Sequence, residues 1–129
     1  MAHILVAEDE AALREYLRRA LLRRGDKVTV VKDGQEALLL LQRGGFDILL
    51  ADIVMPVLDG IALALKATAE YPDTRVILMT GYTAEEGRAR GLGELVQRIL
   101  MKPFSMTELY DAIDEALAWR RAKEEAAAG

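Results

Sequence analysis

Short apolar runs alternate with longer segments of helical hydrophobic spacing along the whole chain. Short, mainly apolar runs bounded by turn residues are typical of strands. The third and fourth runs are almost wholly apolar, which suits inner strands covered on both faces, whereas the second alternates more and suits an edge strand. We therefore predict strands at His3–Ala7, Lys27–Val31, Asp47–Ala51, Arg75–Met79 and Arg98–Met101.

The segments between the strands predict helices, whose ends are marked by glycine, proline or capping residues. Ser105 and Glu108 have the spacing of a capping box at the start of the last helix. The segment before the fifth strand contains three glycines, each costing about 1 kcal/mol against alanine in a helix, so its helix should be short or labile. The predicted helices are Glu10–Arg24, Gln35–Arg43, one from Asp59-Gly60 to Tyr71-Pro72, Thr83–Gln97, and one from Ser105 to about Arg121.

Strands that alternate with helices in this way predict right-handed βαβ crossovers. The predicted fold is therefore α/β, a doubly wound five-stranded parallel sheet with helices on both faces. The length of 129 residues suits one domain, which we place at residues 1–121. The small residues of 122–129 predict a short disordered tail.

Composition excludes several classes of function. The formal net charge of -4 disfavours sequence-independent nucleic-acid binding, which depends on lysine and arginine contacts to phosphates. The chain has no cysteine, so disulfides, thiolate metal sites and cysteine nucleophiles are excluded. Neither a membrane-spanning stretch nor a signal peptide is evident, and we expect a cytoplasmic location with no membrane partner.

Polar residues follow four of the predicted strands. Glu8 and Asp9 follow the first, Asp52 the third, Thr80 the fourth and Lys102 the fifth. Ligands of open parallel sheets bind at the carboxyl ends of the strands, where these side chains would meet. Carboxylates a few ångströms apart repel each other by up to about 4 kcal/mol per pair, and such a cluster suits a hard cation such as Mg²⁺. The cluster therefore predicts a divalent metal beside a phosphoryl group on Asp52.

These residues resemble the receiver domain of two-component response regulators. The matching features are the acidic pair, Asp52, the Met55-Pro56…Asp59-Gly60 loop, Thr80 and Lys102-Pro103. The match covers residues 3–121 and implies a flavodoxin-like (βα)5 fold with strand order 2-1-3-4-5. It also implies a phosphoacceptor signalling protein of bacterial type and not an enzyme in the usual sense.

The resemblance further implies a role for each matching position. Asp52 would accept the phosphoryl group, and Thr80 and Lys102 would contact its oxygens. Pro103 would follow a cis peptide bond. The implied Mg²⁺ ligands are Glu8, through water, Asp9, Asp52 and the backbone carbonyl of Val54.

The chain departs from the usual receiver pattern at two positions. Glu8 stands where aspartate is usual, and either residue type suits the metal. Ile99 stands where many receivers have an aromatic residue that swings inward as the threonine moves. An isoleucine cannot act as an aromatic switch, although Tyr82 lies near enough in sequence to substitute. Tyr82, flanking the phosphoryl site with Val54, is also expected to shield it from water.

Other distinctive residues have simpler structural interpretations. Asp59 is expected to cap the third helix, and His3, the only histidine, to be structural. Trp119, the only tryptophan, falls off the inward stripe of the last helix and predicts partial packing or a partner contact. The Leu38–Leu41 run is expected to be mainly core.

The favoured function is a stand-alone response regulator without an output domain. Its upstream partner would be a histidine kinase or a phosphotransfer protein, and its output a protein-binding surface of helix four, strand five and helix five. The residues around Asp52 and Thr80 also resemble single-domain regulators of the CpdR type, which control substrate delivery to a protease complex. A phosphate sink or relay receiver, and a phosphorylation-independent interaction module with a vestigial site, remain as alternatives. We expect a monomer or weak dimer.

Overall fold

Five parallel strands form one sheet in a computed structural model that describes residues 2–128. The strands are β1 (His3–Ala7), β2 (Lys27–Val31), β3 (Ile48–Asp52), β4 (Arg75–Thr80) and β5 (Arg98–Met101). The helices are α1 (Ala11–Arg24), α2 (Gly34–Leu41), α3 (Gly60–Glu70), α4 (Thr83–Arg90) and α5 (Met106–Ala128), with a 3-10 turn at Gly93–Leu95. The strand order β2-β1-β3-β4-β5 confirms the predicted order and the edge position of β2.

Alternate residues along each strand point to opposite faces of the sheet, and each face is covered by its own helices. One face packs against α2, α3 and α4, with Leu5, Leu49 and Leu78 in its core. The other packs against α1 and α5, with Val6, Leu50 and Ile77 in its core. Since inner strands are covered on both sides, every residue of β3 is buried. None of the described helices has the length and apolar character that crossing a membrane requires.

Capping side chains set the start of three helices. The side chains of Asp33 and Asp59 accept the backbone N–H groups of Glu36 and Ala62, each at 2.8 Å. Ser105 Oγ accepts the Glu108 N–H at 3.0 Å, and Glu108 accepts the Ser105 N–H in return at 3.2 Å. The predicted capping box and the predicted capping role of Asp59 are therefore confirmed.

Several predicted boundaries were wrong. Helix α4 ends at Arg90 and not at Gln97, because Gly91 and the left-handed Gly93 (φ 58°) follow it. Helix α2 ends at Leu41, since the chain soon reaches two glycines with positive φ, Gly44 and Gly45. The remaining shifts are smaller: α1 begins at Ala11, β3 spans Ile48–Asp52 and β4 extends to Thr80.

The last helix is longer than the sequence predicted. Helix α5 continues past Arg121 to Ala128, through residues for which we predicted a disordered tail; Gly129 lies outside the described residues. The extension consists of good helix formers, chiefly alanine, glutamate and lysine. Lys123 also connects the first turn of this extension to the α3–β4 loop. The Lys123 ammonium lies 3.2 Å from Asp73 Oδ1 and 3.3 Å from the Pro72 carbonyl oxygen.

Candidate phosphoryl and metal site

The strand register brings the predicted site residues to one edge of the sheet. Ala7 pairs with Ala51, Asp52 with Met79, and Thr80 with Met101. The residues that follow these positions therefore leave the sheet side by side. They surround a cavity of about 410 Å³, lined by Glu8, Asp9, Glu10, Asp52, Val54, Gly81, Tyr82 and Lys102.

Three carboxylates converge in this cavity. Oxygens of Glu8, Asp9 and Asp52 lie within 4.8 Å of one another. Glu8 is fully buried, Asp52 is nearly so, and Asp9 is exposed to solvent. Oxygen ligands in such a group suit Mg²⁺, which favours one or two carboxylates together with retained water and phosphate oxygens. The residues present therefore fit the predicted magnesium site.

Lys102 balances part of this negative charge. Its Nζ lies 2.7 Å from Asp52 Oδ2 and 2.9 Å from Glu8 Oε1. Burial alone would lower the pKa of Lys102, but the two ion pairs outweigh it and hold the pKa above its ordinary value. The Lys102–Pro103 peptide bond is cis, as the resemblance implied. Lys102 therefore remains an ammonium beside Asp52.

Burial has the largest effect on the pKa of Glu8. It raises the pKa of the Glu8 carboxyl, while hydrogen bonds from Lys102 and from the backbone N–H of Glu10 act in the opposite direction. The Glu10 N–H lies 3.0 Å from Glu8 Oε2. Both oxygens are thus held in place, which aims the carboxylate into the pocket.

Backbone contacts position the Asp52 carboxylate. Its Oδ1 accepts the N–H of Val54 at 3.2 Å, leaving Oδ2 to Lys102. Gly60 lies directly against the Asp52 backbone, because a Cβ there would approach the Asp52 carbonyl oxygen to 2.3 Å. The Asp59-Gly60 pair that the sequence singled out therefore lets α3 start close to the end of β3.

Thr80 and Val54 differ in their position relative to the cavity. Thr80 is fully buried and does not line the cavity; its Oγ1 accepts the N–H of Tyr82 at 3.1 Å. Val54 lines the cavity and is about half exposed (47%), and its predicted role as a carbonyl ligand stays a prediction. Tyr82 lies at the rim and is 63% exposed, so its shielding role also stays a prediction.

Sequence reasoning missed Arg14. Its guanidinium donates to the carbonyl oxygens of Glu8 at 2.8 Å and Asp9 at 3.3 Å, and so anchors the loop that carries both carboxylates. The available signal was an arginine one helical turn into α1, just after the acidic pair. Such a position is usually read as a solvated surface charge.

The other distinctive residues lie away from the cavity. His3 Nε2 and Thr29 Oγ1 are 3.0 Å apart, and the His3 ring packs 4.3 Å from the Phe46 ring, which supports a structural role. The cations of Arg75 and Lys123 lie 4.3 and 5.2 Å from the centre of the Trp119 ring. In the leucine run, Leu41 is buried whereas Leu39 is 53% exposed.

Fold and site together define the class of this protein. The sequence matches the response regulator receiver domain family over residues 4–114, and the chain belongs to that family. Its members are phosphoacceptor modules of two-component signalling that bind Mg²⁺ at an acidic pocket, and the cluster of Glu8, Asp9 and Asp52 occupies the corresponding place here.

Individual relatives include both short and long proteins. The receiver protein CpdR of Brucella abortus is 38% identical over 117 residues, which cover 91% of this chain and 98% of that protein. The transcriptional activator PfeR of Pseudomonas aeruginosa is 42% identical over 117 residues, but this chain spans 38% of its length. The crystal structure of the response regulator TrrA from Thermotoga maritima, a complex with Mg²⁺ and BeF, is 28% identical, with a TM-score of 0.82 and coverage of 90% of this chain and 99% of that one.

Proposed function

We propose that this chain is a phosphorylation switch in which Asp52 accepts a phosphoryl group from a histidine kinase or a phosphotransfer protein. The carrying observation is the contact of Lys102 Nζ with both Asp52 and Glu8 in a pocket of three carboxylates. A carboxylate held beside an ammonium, with one oxygen fixed by a backbone N–H, is positioned for in-line attack on phosphorus.

In the transfer, the P–N bond of a donor phosphohistidine breaks and a P–O bond to an Asp52 oxygen forms. The electron pair of the broken bond stays on the imidazole nitrogen. Lys102 would follow the negative charge from the carboxylate to the phosphoryl oxygens, and Thr80 would turn its hydroxyl toward them. Mg²⁺, held by Glu8, Asp9, Asp52 and the Val54 carbonyl, would neutralise charge on the same oxygens.

The proposed output is a protein-binding surface formed by α4, β5 and α5. Helix α4 is short, contains Gly87 and buries Ala89 alone, so reordering it requires little loss of packing. Similarity to CpdR along almost the whole of that protein supports a CpdR-like role, in which this surface controls delivery of substrates to a protease complex. A cytoplasmic location and a monomeric or weakly dimeric state belong to the same proposal.

The test is Mg²⁺-dependent modification by acetyl phosphate, comparing wild type with Asp52→Asn. We expect one phosphoryl group on Asp52 in wild type and none in the variant. Asp33→Asn is a matched control, because asparagine also caps a helix and Asp33 lies outside the pocket. Labelling of Asp52→Asn at the wild-type level would contradict the proposal, and no labelling of either protein would favour an interaction module. A phosphorylated state that decays rapidly without any change on α4 would favour a phosphate sink.

A further inference from the structure

The two carboxylates of the acidic pair are held in the pocket to different degrees. Glu8 is fixed by its N–H, which donates to the Val31 carbonyl oxygen at 3.1 Å, and by hydrogen bonds to both of its side-chain oxygens. Within residues 2–128, the exposed Asp9 carboxylate forms neither a hydrogen bond nor an ion pair. The position of Asp9 therefore depends on how its backbone is held.

The backbone of the acidic pair is held by Arg14. A single nitrogen of its guanidinium, Nη1, lies 2.8 Å from the Glu8 carbonyl oxygen and 3.3 Å from the Asp9 carbonyl oxygen. This nitrogen carries two N–H groups and can donate one to each carbonyl. Arg14 thereby connects two consecutive peptide groups of the loop to α1.

The start of α1 explains why an arginine takes this role. The residue before the helix, Glu10, makes no side-chain capping hydrogen bond, whereas capping side chains hold the starts of α2, α3 and α5. Long side chains of a helix point back toward its N-terminus. Arg14, one turn into α1, therefore reaches the loop that precedes the helix, and it stabilises the junction that no cap holds.

The charge of Arg14 and its hydrogen bonds should have opposite effects on a divalent cation in the pocket. The guanidinium is always protonated, so its charge repels Mg²⁺, and removal of that charge alone would strengthen metal binding. Its hydrogen bonds fix the path of the loop and so the direction of the Asp9 side chain. Groups that orient a metal ligand commonly contribute about 10–100-fold to metal affinity. The direction of the change in affinity therefore separates the two effects.

We propose that Arg14 is a positioning residue for Mg²⁺, which holds the loop so that the Asp9 carboxylate points at the cation. The inference rests on Asp9 being a ligand of the metal, as in the proposed function. Arg14 is not among the residues that line the cavity, so it acts through the backbone of the acidic pair and does not touch the metal or the phosphoryl group. Its hydrogen bonds outweigh the repulsion between the two cations.

The experiment measures the Mg²⁺ dissociation constant by amide NMR titration of the metal-free protein. We compare wild type with Arg14→Met and Arg14→Lys, whose new residues have helix propensities close to that of arginine. Arg14→Met should raise the dissociation constant about tenfold. Arg14→Lys keeps the charge and a donor but lacks the planar guanidinium, so its affinity should lie between those of the other two proteins. Arg19→Met removes the same charge from the same helix at an exposed position and should leave the affinity unchanged.

Two further measurements separate positioning from a general loss of structure. In the metal-free protein, Arg14→Met should lower the heteronuclear NOE of the Asp9 and Glu10 amides, which reports a more mobile loop, while urea unfolding shows that the variant remains folded. With acetyl phosphate, the Mg²⁺ concentration that gives half the maximal labelling rate should rise. The rate at saturating Mg²⁺ should equal that of wild type, because excess metal compensates for a poorly placed ligand.

Unchanged or tighter Mg²⁺ binding by Arg14→Met would overturn the proposal, because the charge of Arg14 would then matter at least as much as its hydrogen bonds. An unchanged NOE, or a labelling rate that stays low at saturating Mg²⁺, would also overturn it. The proposed function fails separately. If the predicted order of Mg²⁺ affinities is found but acetyl phosphate labels neither wild type nor any variant, the positioning role is supported and phosphoryl acceptance by Asp52 is not.

Discussion

At the scale of single residues, Glu8 is a fully buried carboxylate that shares its cation with Asp52. Because burial raises the pKa of Glu8, the fold favours its protonated form. The stabilisation from that form is complete below the unfolded pKa of 4.5 and is lost as the pH rises through the raised folded pKa. At neutral pH the ionised carboxylate therefore costs stability in the metal-free protein.

We expect Glu8→Gln to stabilise the metal-free protein near neutral pH by about 1 kcal/mol or more. Lys102 keeps Asp52 as its partner, so the change leaves no unpaired buried cation. Urea unfolding at several pH values measures the effect, and the gain should shrink as the pH falls toward 4.5.

Added Mg²⁺ should reverse the order of stability, since a ligand that binds the folded state stabilises it by mass action. Wild type would gain more than the variant, which lacks one of the carboxylates proposed to bind the metal. Glu70→Gln, at an exposed position on α3, is the control and should change neither measurement. A Glu8→Gln protein that is destabilised without metal would show that the ion pair outweighs the burial of the carboxylate.

The convergence of these side chains could be predicted because each of them lies at the end of a strand. Glu8, Asp52 and Lys102 each follow an apolar run, and a parallel sheet must bring such positions together. The hydrogen bond from Tyr82 to Thr80 and the anchoring by Arg14 could not be predicted. Both depend on the local path of the backbone, which hydrophobic spacing does not encode.

At the scale of helices and strands, two helical glycines differ in the space around them: Gly60 in α3 is closely packed, whereas Gly87 in α4 is not. A Cβ at Gly60 would lie 2.3 Å from the Asp52 carbonyl oxygen and 2.8 Å from the Ile53 Cα, both backbone atoms. A Cβ at Gly87 would meet no atom within 4 Å. Gly60 therefore sets the close approach of α3 to β3, whereas Gly87 only weakens α4.

We expect Gly60→Ala to destabilise the protein by about 1–3 kcal/mol, the usual range for overpacking, and to slow phosphorylation by displacing Asp52. Gly87→Ala should stabilise α4 by about 1 kcal/mol, because alanine is the better helix former. Urea unfolding gives the first value and amide hydrogen exchange over residues 83–90 the second. A Gly60→Ala protein with wild-type stability would mean that α3 can move away from β3 without loss.

The ends of the strands could be predicted more accurately than the ends of α4 and α5. β1, β2 and β5 have the predicted bounds, because the apolar or alternating pattern of each strand stops at a charged residue, Glu8, Lys32 or Lys102. The end of α4 was wrong because glycine propensity lowers helix stability without fixing where the helix stops. The end of α5 was wrong because small residues suggested fraying, whereas Lys123 fixes the next turn to Asp73 and Pro72.

At the scale of the whole molecule, a change at Asp52 has to reach the surface of α4, β5 and α5. Ile99 is half-buried against the core on the α4 face and has no ring that could swing inward. A signal that does not depend on an aromatic ring could instead pass along the backbone from Thr80 to α4. Thr80 Oγ1 accepts the N–H of Tyr82, and Tyr82 is the residue that directly precedes α4. If Thr80 turns its hydroxyl to a phosphoryl oxygen, this hydrogen bond breaks at the start of the helix.

We therefore expect Thr80→Val to uncouple α4 from the phosphoryl site. With Mg²⁺ and saturating beryllofluoride, amide NMR of wild type should show shifts near Asp52 and through Thr83–Arg90. The valine variant has no hydroxyl at this position, and should show shifts near Asp52 with little change on α4.

Two further variants test whether the signal depends on the Thr80–Tyr82 hydrogen bond or on the packing of β5. Thr80→Ser keeps a hydroxyl at this position and should preserve the α4 shifts. Ile99→Ala removes apolar contact on β5 without touching the Thr80–Tyr82 bond, so α4 should still respond. Full α4 shifts in Thr80→Val, or their loss in Ile99→Ala, would place the coupling in the packing of β5. If the signal enters α4 through the N–H of Tyr82, the α4 shifts should be lost in Thr80→Val and kept in Ile99→Ala.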